Sequence, residues 1–110
     1  EEAETPLEAA KREAYEEGGI SPDSSYIVLD SIATIPVEWV SGFLWGEDVL
    51  VTPEHCFGVE VKDQPLRLSH EHSEFRWTGY DSAANLLKYD SNKSALWELN
   101  LRLRRQLLSL

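Results

Sequence analysis

The stretch that decides the reading runs Glu4-Thr5-Pro6-Leu7-Glu8-Ala9-Ala10-Lys11-Arg12-Glu13-Ala14-Tyr15-Glu16-Glu17-Gly18-Gly19-Ile20. Thr5 is the N-cap candidate, Pro6 suits a first helical position, and Glu8 completes a capping box. Leu7 to Glu17 is rich in Ala and Glu, both strong helix formers. Gly18-Gly19 then supplies the left-handed stop. Glu13, Glu16 and Glu17 stand at i, i+3 and i+4, which puts three carboxylates on one arc of that helix. Like charges so placed repel by a few tenths of a kcal/mol per pair, roughly. A solvated acidic face would leave that repulsion in water. A hard divalent cation such as Mg²⁺ would turn it into a binding site built of oxygen ligands.

Outward from this helix the chain reads as β, then α. Tyr26 to Leu29 is a β-branched and aromatic run, and Ile32 to Val40 continues it past Asp30-Ser31, with Pro36 marking an edge or bulge. Gly46-Glu47-Asp48 is a turn. Val49 to Val51 and Cys56 to Val61 are expected strands, with Pro53 breaking between them. Asp63-Gln64-Pro65 reads as a turn, and Leu66 to Leu68 and Glu74 to Thr78 as strands. Asp81 is placed to cap a short helix through Ala83, Ala84, Leu86 and Leu87. Ser91 or Asn92 is placed to cap a longer one, whose apolar stripe is Ala95, Leu96, Leu99, Leu103, Leu107 and Leu108. Helix, strands, short helix, long helix is an α+β order.

The whole chain bounds these readings. With 110 residues it holds one domain, residues 1–110. A compact chain of this size buries roughly two thirds of its unfolded surface. Twenty acidic and ten basic residues give a net charge of −10. That balance argues against a nucleic-acid polymer or an anionic membrane as partner, since both need clustered Lys and Arg. No apolar run approaches the ~18 residues of a membrane span. The single cysteine, Cys56, forms no intrachain disulfide and fits a reducing, cytoplasmic setting.

Glu4, seven residues, then Arg12-Glu13-Ala14-Tyr15-Glu16-Glu17-Gly18-Gly19-Ile20 resembles the Nudix box. That pattern is Gly, five residues, Glu, seven residues, Arg-Glu, an aliphatic, any residue, Glu-Glu, any residue, Gly, an aliphatic. Every position from the first Glu onward matches. The opening Gly would precede Glu1, as would the strands found upstream of the box. The fold implied is a Nudix-type α/β/α sandwich with a mixed sheet, N-terminally incomplete. A second copy or a complementing segment would then cover the open sheet edges. Trp77, the Asp81 helix and Lys88 to Leu99 look like the bacterial subgroup related to dihydroneopterin triphosphate pyrophosphohydrolase, which also takes nucleoside triphosphates including dATP.

The resemblance implies hydrolysis of a nucleoside or pterin triphosphate with Mg²⁺ or Mn²⁺. By it Glu16 and Glu17 are metal ligands, and Glu13 binds metal or orients and deprotonates the attacking water. Arg12 holds a catalytic Glu by a bidentate pair, and Glu4 braces the loop before the helix, with Gly19 supporting the box. Glu71, in Ser69-His70-Glu71-His72, is the further acid, as a metal ligand or general base; an exposed turn acid is its other reading. His70 and His72 with His55 and Cys56 fit no standard zinc spacing. Trp45, beside Gly46, is the best stacking candidate of four tryptophans. Asn92 and Lys93 are placed to meet a phosphate at a helix N-terminus, or simply to cap it. The competing function is a non-catalytic Nudix module that binds nucleotide or a partner. Such modules usually lose a box carboxylate, and Glu13, Glu16 and Glu17 are all present.

Overall fold

The computed structural model describes residues 4–39, 42, 44–62, 66–69 and 74–108. The first helix, α1, spans Pro6–Gly18. Its start is fixed by reciprocal bonds: Glu8 N–H donates to Thr5 Oγ1 at 3.1 Å, and Thr5 N–H donates to Glu8 Oε1 at 2.9 Å. Two donors with no intrahelical partner are thereby satisfied. Its end is Gly19, left-handed at φ 69°. The Gly19 N–H donates to Tyr15 O at 2.9 Å, the five-to-one bond of a left-handed helix cap, and the Ile20 N–H donates to Ala14 O at 3.2 Å.

Strand β1 spans Tyr26–Pro36, a 3-10 turn follows at Val37–Trp39, and β2 spans Val51–Val59. The two strands pair. Bonds from Val37 N–H to Leu50 O and from Glu60 N–H to Ser25 O, both 3.0 Å, bracket the ladder and show it antiparallel. Asp30-Ser31 does not interrupt β1, because their consecutive N–H groups find an acceptor outside the ladder, the Glu98 carboxylate. Pro53 does not divide β2, since only alternate donors of a strand face its partner. Pro36 ends β1 instead of bulging it. Parallel pairing, expected of a mixed sheet, is not found among the described residues.

Neither Leu66–Leu68 nor Glu74–Thr78 is a strand. The first segment pairs with a helix end: Arg67 N–H donates to Gly18 O at 2.8 Å, and Ser69 N–H to Glu17 O at 3.1 Å. The last carbonyls of α1 lack intrahelical donors, so they serve as acceptors where a strand was expected to. In the second segment Phe75 and Trp77 meet edge to face, centroids 6.3 Å apart. The turn expected at Asp63-Gln64-Pro65 lies outside the described residues.

Helix α2 spans Tyr80–Leu86, so Asp81 lies in its first turn and not at its cap. Helix α3 spans Asp90–Leu108, starting before the expected Ser91 or Asn92. Of its apolar stripe, Ala95, Leu96 and Leu99 are half-buried, whereas Leu103 and Leu107 are exposed. Neither α2 nor α3, nor any other described helix, is long and apolar enough to cross a membrane.

The elements fall into two units, 1–28 with 57–86 and 29–56 with 87–110. The first holds α1, α2 and the strand ends Tyr26–Val28 and Phe57–Val59. The second holds the rest of both strands, the 3-10 turn and α3. The buried apolar side chains among the described residues are Leu29 and Val37, both in the second unit. Helices and an antiparallel pair in this order are the α+β class read from the sequence.

Candidate active site

In the first unit the candidate residues sit on α1 and its two ends. Arg12 is the organiser. Its Nε donates to Glu4 Oε2 at 2.9 Å and its Nη2 to Glu4 Oε1 at 3.1 Å, a bidentate fork. Its Nη1 donates to Glu16 Oε1 at 3.1 Å, one helical turn on. The two-pronged partner is thus Glu4, and the box carboxylate Glu16 receives the third contact. The Arg12 hydrogen bonds hold the Glu4 carboxyl below the usual carboxylate range. Reciprocally, the Glu4 carboxylate, with Glu16 adding to it, pushes the Arg12 guanidinium further up. This array ties the residues before α1 to the middle of the helix.

Glu13 and Glu16 are exposed and Glu17 is half-buried. The Glu17 main-chain carbonyl is held by Ser69, and the Gly18 carbonyl by Arg67. The last turn of α1 is therefore clamped at its backbone while its carboxylates remain side-chain groups of a regular helix. Gly19 is required twice over. Its φ of 69° disfavours any side chain, and a Cβ there would lie 3.0 Å from Arg67 Nε and 3.2 Å from Arg67 Cβ.

A divalent cation is tested by the donor set. Glu13, Glu16 and Glu17 offer only carboxylate oxygens on one helical arc, which suits Mg²⁺ or Mn²⁺ and not a soft metal. The residue types fit. Among the described residues, however, no three His, Cys, Asp or Glu side chains are gathered closely enough to hold an ion. The contact of Glu16 with Arg12 is one visible reason, since it draws that carboxylate toward the guanidinium. Glu71, with His70 and His72, lies outside the described residues. His55 is exposed and Cys56 half-buried, its thiol pushed up chiefly by burial.

Trp45, Asn92 and Lys93 belong to the second unit, whereas α1 belongs to the first. Trp45 is exposed beside Gly46, whose φ is 103°. Asn92 and Lys93 N–H groups both donate to Tyr89 O, at 3.1 and 3.2 Å. These first-turn amides thus act as ordinary helix-start donors. The Lys93 side chain borders an open cleft of about 610 Å³ with Asp30, Ser31, Ser94, Trp97 and Glu98.

Glu98 was not singled out in the sequence, yet it is the most engaged carboxylate described. It accepts from Asp30 N–H at 2.7 Å, Ser31 N–H at 2.8 Å, Ser31 Oγ at 2.6 Å and Arg102 Nε at 2.7 Å. Led by the Ser31 hydroxyl and the Asp30 amide, these bonds pull its carboxyl down to about 2. Arg102 reaches on to Asp30 Oδ2 at 3.0 Å. The i,i+4 spacing of Glu98 and Arg102 was the one local signal for this joint. Arg67 was missed too, and nothing in its neighbours' spacing announces it.

Comparison with known proteins adds three findings. The NUDIX domain family model matches residues 1–98. The asymmetrical bis(5′-nucleosyl)-tetraphosphatase of Sus scrofa is 32% identical over 100 residues, covering 89% of this chain and 63% of that protein. The chain thus spans less than two thirds of the length of that relative. The crystal structure of a protein described as a NUDIX hydrolase, from Listeria monocytogenes, superposes with a TM-score of 0.84. The two are 42% identical, and the match covers 96% of this chain and 71% of that one.

Proposed function

This chain belongs to the Nudix family, and on that premise we propose that it hydrolyses a diphosphate linkage in a nucleoside or pterin polyphosphate with Mg²⁺ or Mn²⁺. The observation that carries the reading is α1 itself. Its capped start, its glycine stop and the Glu4–Arg12 fork present Glu13, Glu16 and Glu17 on one arc of a clamped helix. All three box carboxylates are in place, which favours an enzyme over a binding module.

Glu16 and Glu17, with Glu13, would hold the divalent cation. When bound, the cation supplies charge neutralisation on the phosphates and acidifies a water. Glu13, exposed in the middle of α1, orients the attacking water and accepts its proton, or shares in holding the ion. Arg12 keeps the helix in place through Glu4 and limits where Glu16 can reach. Glu71 is the further acid, as ligand or general base. Trp45 is the candidate to stack on the base or ring, and Asn92 and Lys93 are the candidates to meet a phosphate oxygen.

Two substrate classes are supported by different observations. The downstream sequence resembles the dihydroneopterin triphosphate and dATP subgroup, and the named relative acts on a dinucleoside tetraphosphate. Both present a diphosphate joined to another group. The test is a panel of dATP, other nucleoside triphosphates, dihydroneopterin triphosphate and dinucleoside tetraphosphates, with products resolved by phosphorus NMR. Turnover is expected with Mg²⁺ or Mn²⁺ and not with a chelator. Glu13→Gln is expected to lower kcat by ~10²-fold or more, the scale of positioned acid–base groups. Metal-independent turnover, or a wild-type rate in Glu13→Gln, overturns the proposal.

A further inference from the structure

We propose that Arg67 is the phosphate-recognising cation of this site, held over the glycine end of α1 to meet the polyphosphate of the substrate. The inference rests on the function proposed above and adds a residue that the box pattern does not contain.

The chain carries a net −10, and the α1 arc adds three carboxylates where a polyanion is to bind. One divalent cation offsets only part of a polyphosphate's charge, so a cationic side chain must supply the rest. Other basic residues of this unit are engaged. Arg12 is forked onto Glu4 and bonded to Glu16. Lys11 Nζ lies 5.6 Å over the Tyr26 ring. Lys62 pairs with Glu60 at 3.8 Å.

Arg67 differs. It is exposed, and its guanidinium has no carboxylate partner among the described residues. Its backbone is nevertheless fixed, because its N–H donates to Gly18 O at 2.8 Å and Ser69 makes the adjoining bond to Glu17 O. The side chain leaves that anchor across Gly19, with Cβ and Nε occupying the space a side chain there would need. A guanidinium carried over Gly19 on a fixed backbone, with no ion pair among the described residues, is suited to phosphate, whose oxygens match its planar fork of donors. Arg76, also exposed in this unit, lies on the 74–79 segment, with no such tie to α1 among the described residues.

The probe is inorganic tripolyphosphate, which carries the phosphate chain and no base. Its affinity is measured by calorimetry with Mg²⁺ and by competition against the best substrate of the panel. Arg67→Gln keeps most of the aliphatic stem over Gly19 and removes the charge; Arg67→Lys keeps the charge and loses the fork. Arg67→Gln is expected to weaken tripolyphosphate by ~10-fold or more, as for a lost charge-assisted hydrogen bond. KM should rise by a similar factor with kcat changed less. Lysine should recover part of the affinity. The melting temperature and its rise on adding Mg²⁺ should be unchanged, which separates phosphate recognition from a structural role. Wild-type affinity and KM in Arg67→Gln overturn the assignment, as does a loss explained by a lowered melting temperature. Should the unaltered chain hydrolyse nothing in the panel, the proposed function falls. Should it hydrolyse normally while Arg67→Gln is indifferent, only Arg67 falls.

Discussion

Glycine 19 is where one missing methyl group has the largest expected effect. Gly19→Ala must hold a left-handed residue against Arg67, while Gly42→Ala, at φ 61° with nothing within 4 Å, meets only the backbone penalty. That penalty is about 1–2 kcal/mol. Urea unfolding should show Gly42→Ala near that value and Gly19→Ala beyond it; equal losses would show that Arg67 moves aside without cost. Glu98 gives a pH prediction. Its folded carboxyl lies at about 2 against an ordinary 4.5. A depressed acid stabilises the fold above its unfolded value and loses that contribution as pH falls through the folded one. The melting-temperature gap between the wild type and Glu98→Gln should therefore be widest above about pH 5 and close toward pH 2. A gap independent of pH would remove Glu98 as the source. The partner of Arg12 shows the limit of reading residues singly. The box resemblance pairs it with a catalytic Glu, whereas here Glu4, before the extended cap Thr5, takes both prongs and Glu16 meets the remaining donor.

Helix α1 was legible in full because everything that defines it is local: a cap bond across three residues, a proline at the start, a glycine at the end. The strands were legible only as β. Asp30-Ser31 and Pro53 look like breakers, and the acceptor that lets β1 pass Asp30 comes from Glu98, 68 residues away. Leu66 and Leu68 alternate like strand residues, yet their segment bonds to helix carbonyls. Periodicity reports which side chains are apolar, not which backbone supplies the acceptor. The site divides likewise: the carboxylates follow from helical spacing, whereas Arg67 depends on a loop docking to α1. At this scale the metal is the test. Mg²⁺ at ~100 times its Kd should stabilise the fold by about 2.7 kcal/mol, if it binds only the folded chain. A chelator should reverse the rise in melting temperature. The double variant Glu16→Gln with Glu17→Gln should abolish it, and a rise that persists would place the ion elsewhere.

Over the whole molecule, each unit is assembled from two stretches that are not adjacent in sequence. The joint made by Glu98 in the second unit has a consequence for the order of events in folding. The α1 cap closes across three residues and the Glu4–Arg12 fork across eight, whereas Glu98 reaches back 67 and 68 residues to Ser31 and Asp30. Closing so long a loop loses more chain entropy before any bond rewards it. During synthesis the two β1 amides wait in water until α3 has been made, so they belong to the late part of the reaction. Glu98→Gln should then leave the refolding rate nearly unchanged and speed unfolding, a φ value near zero by stopped-flow kinetics. A slowed refolding limb would instead put this joint in the nucleus. On the late-joint expectation, the lifetime of the folded second unit is governed by a carboxylate that plays no part in deciding how quickly that unit forms.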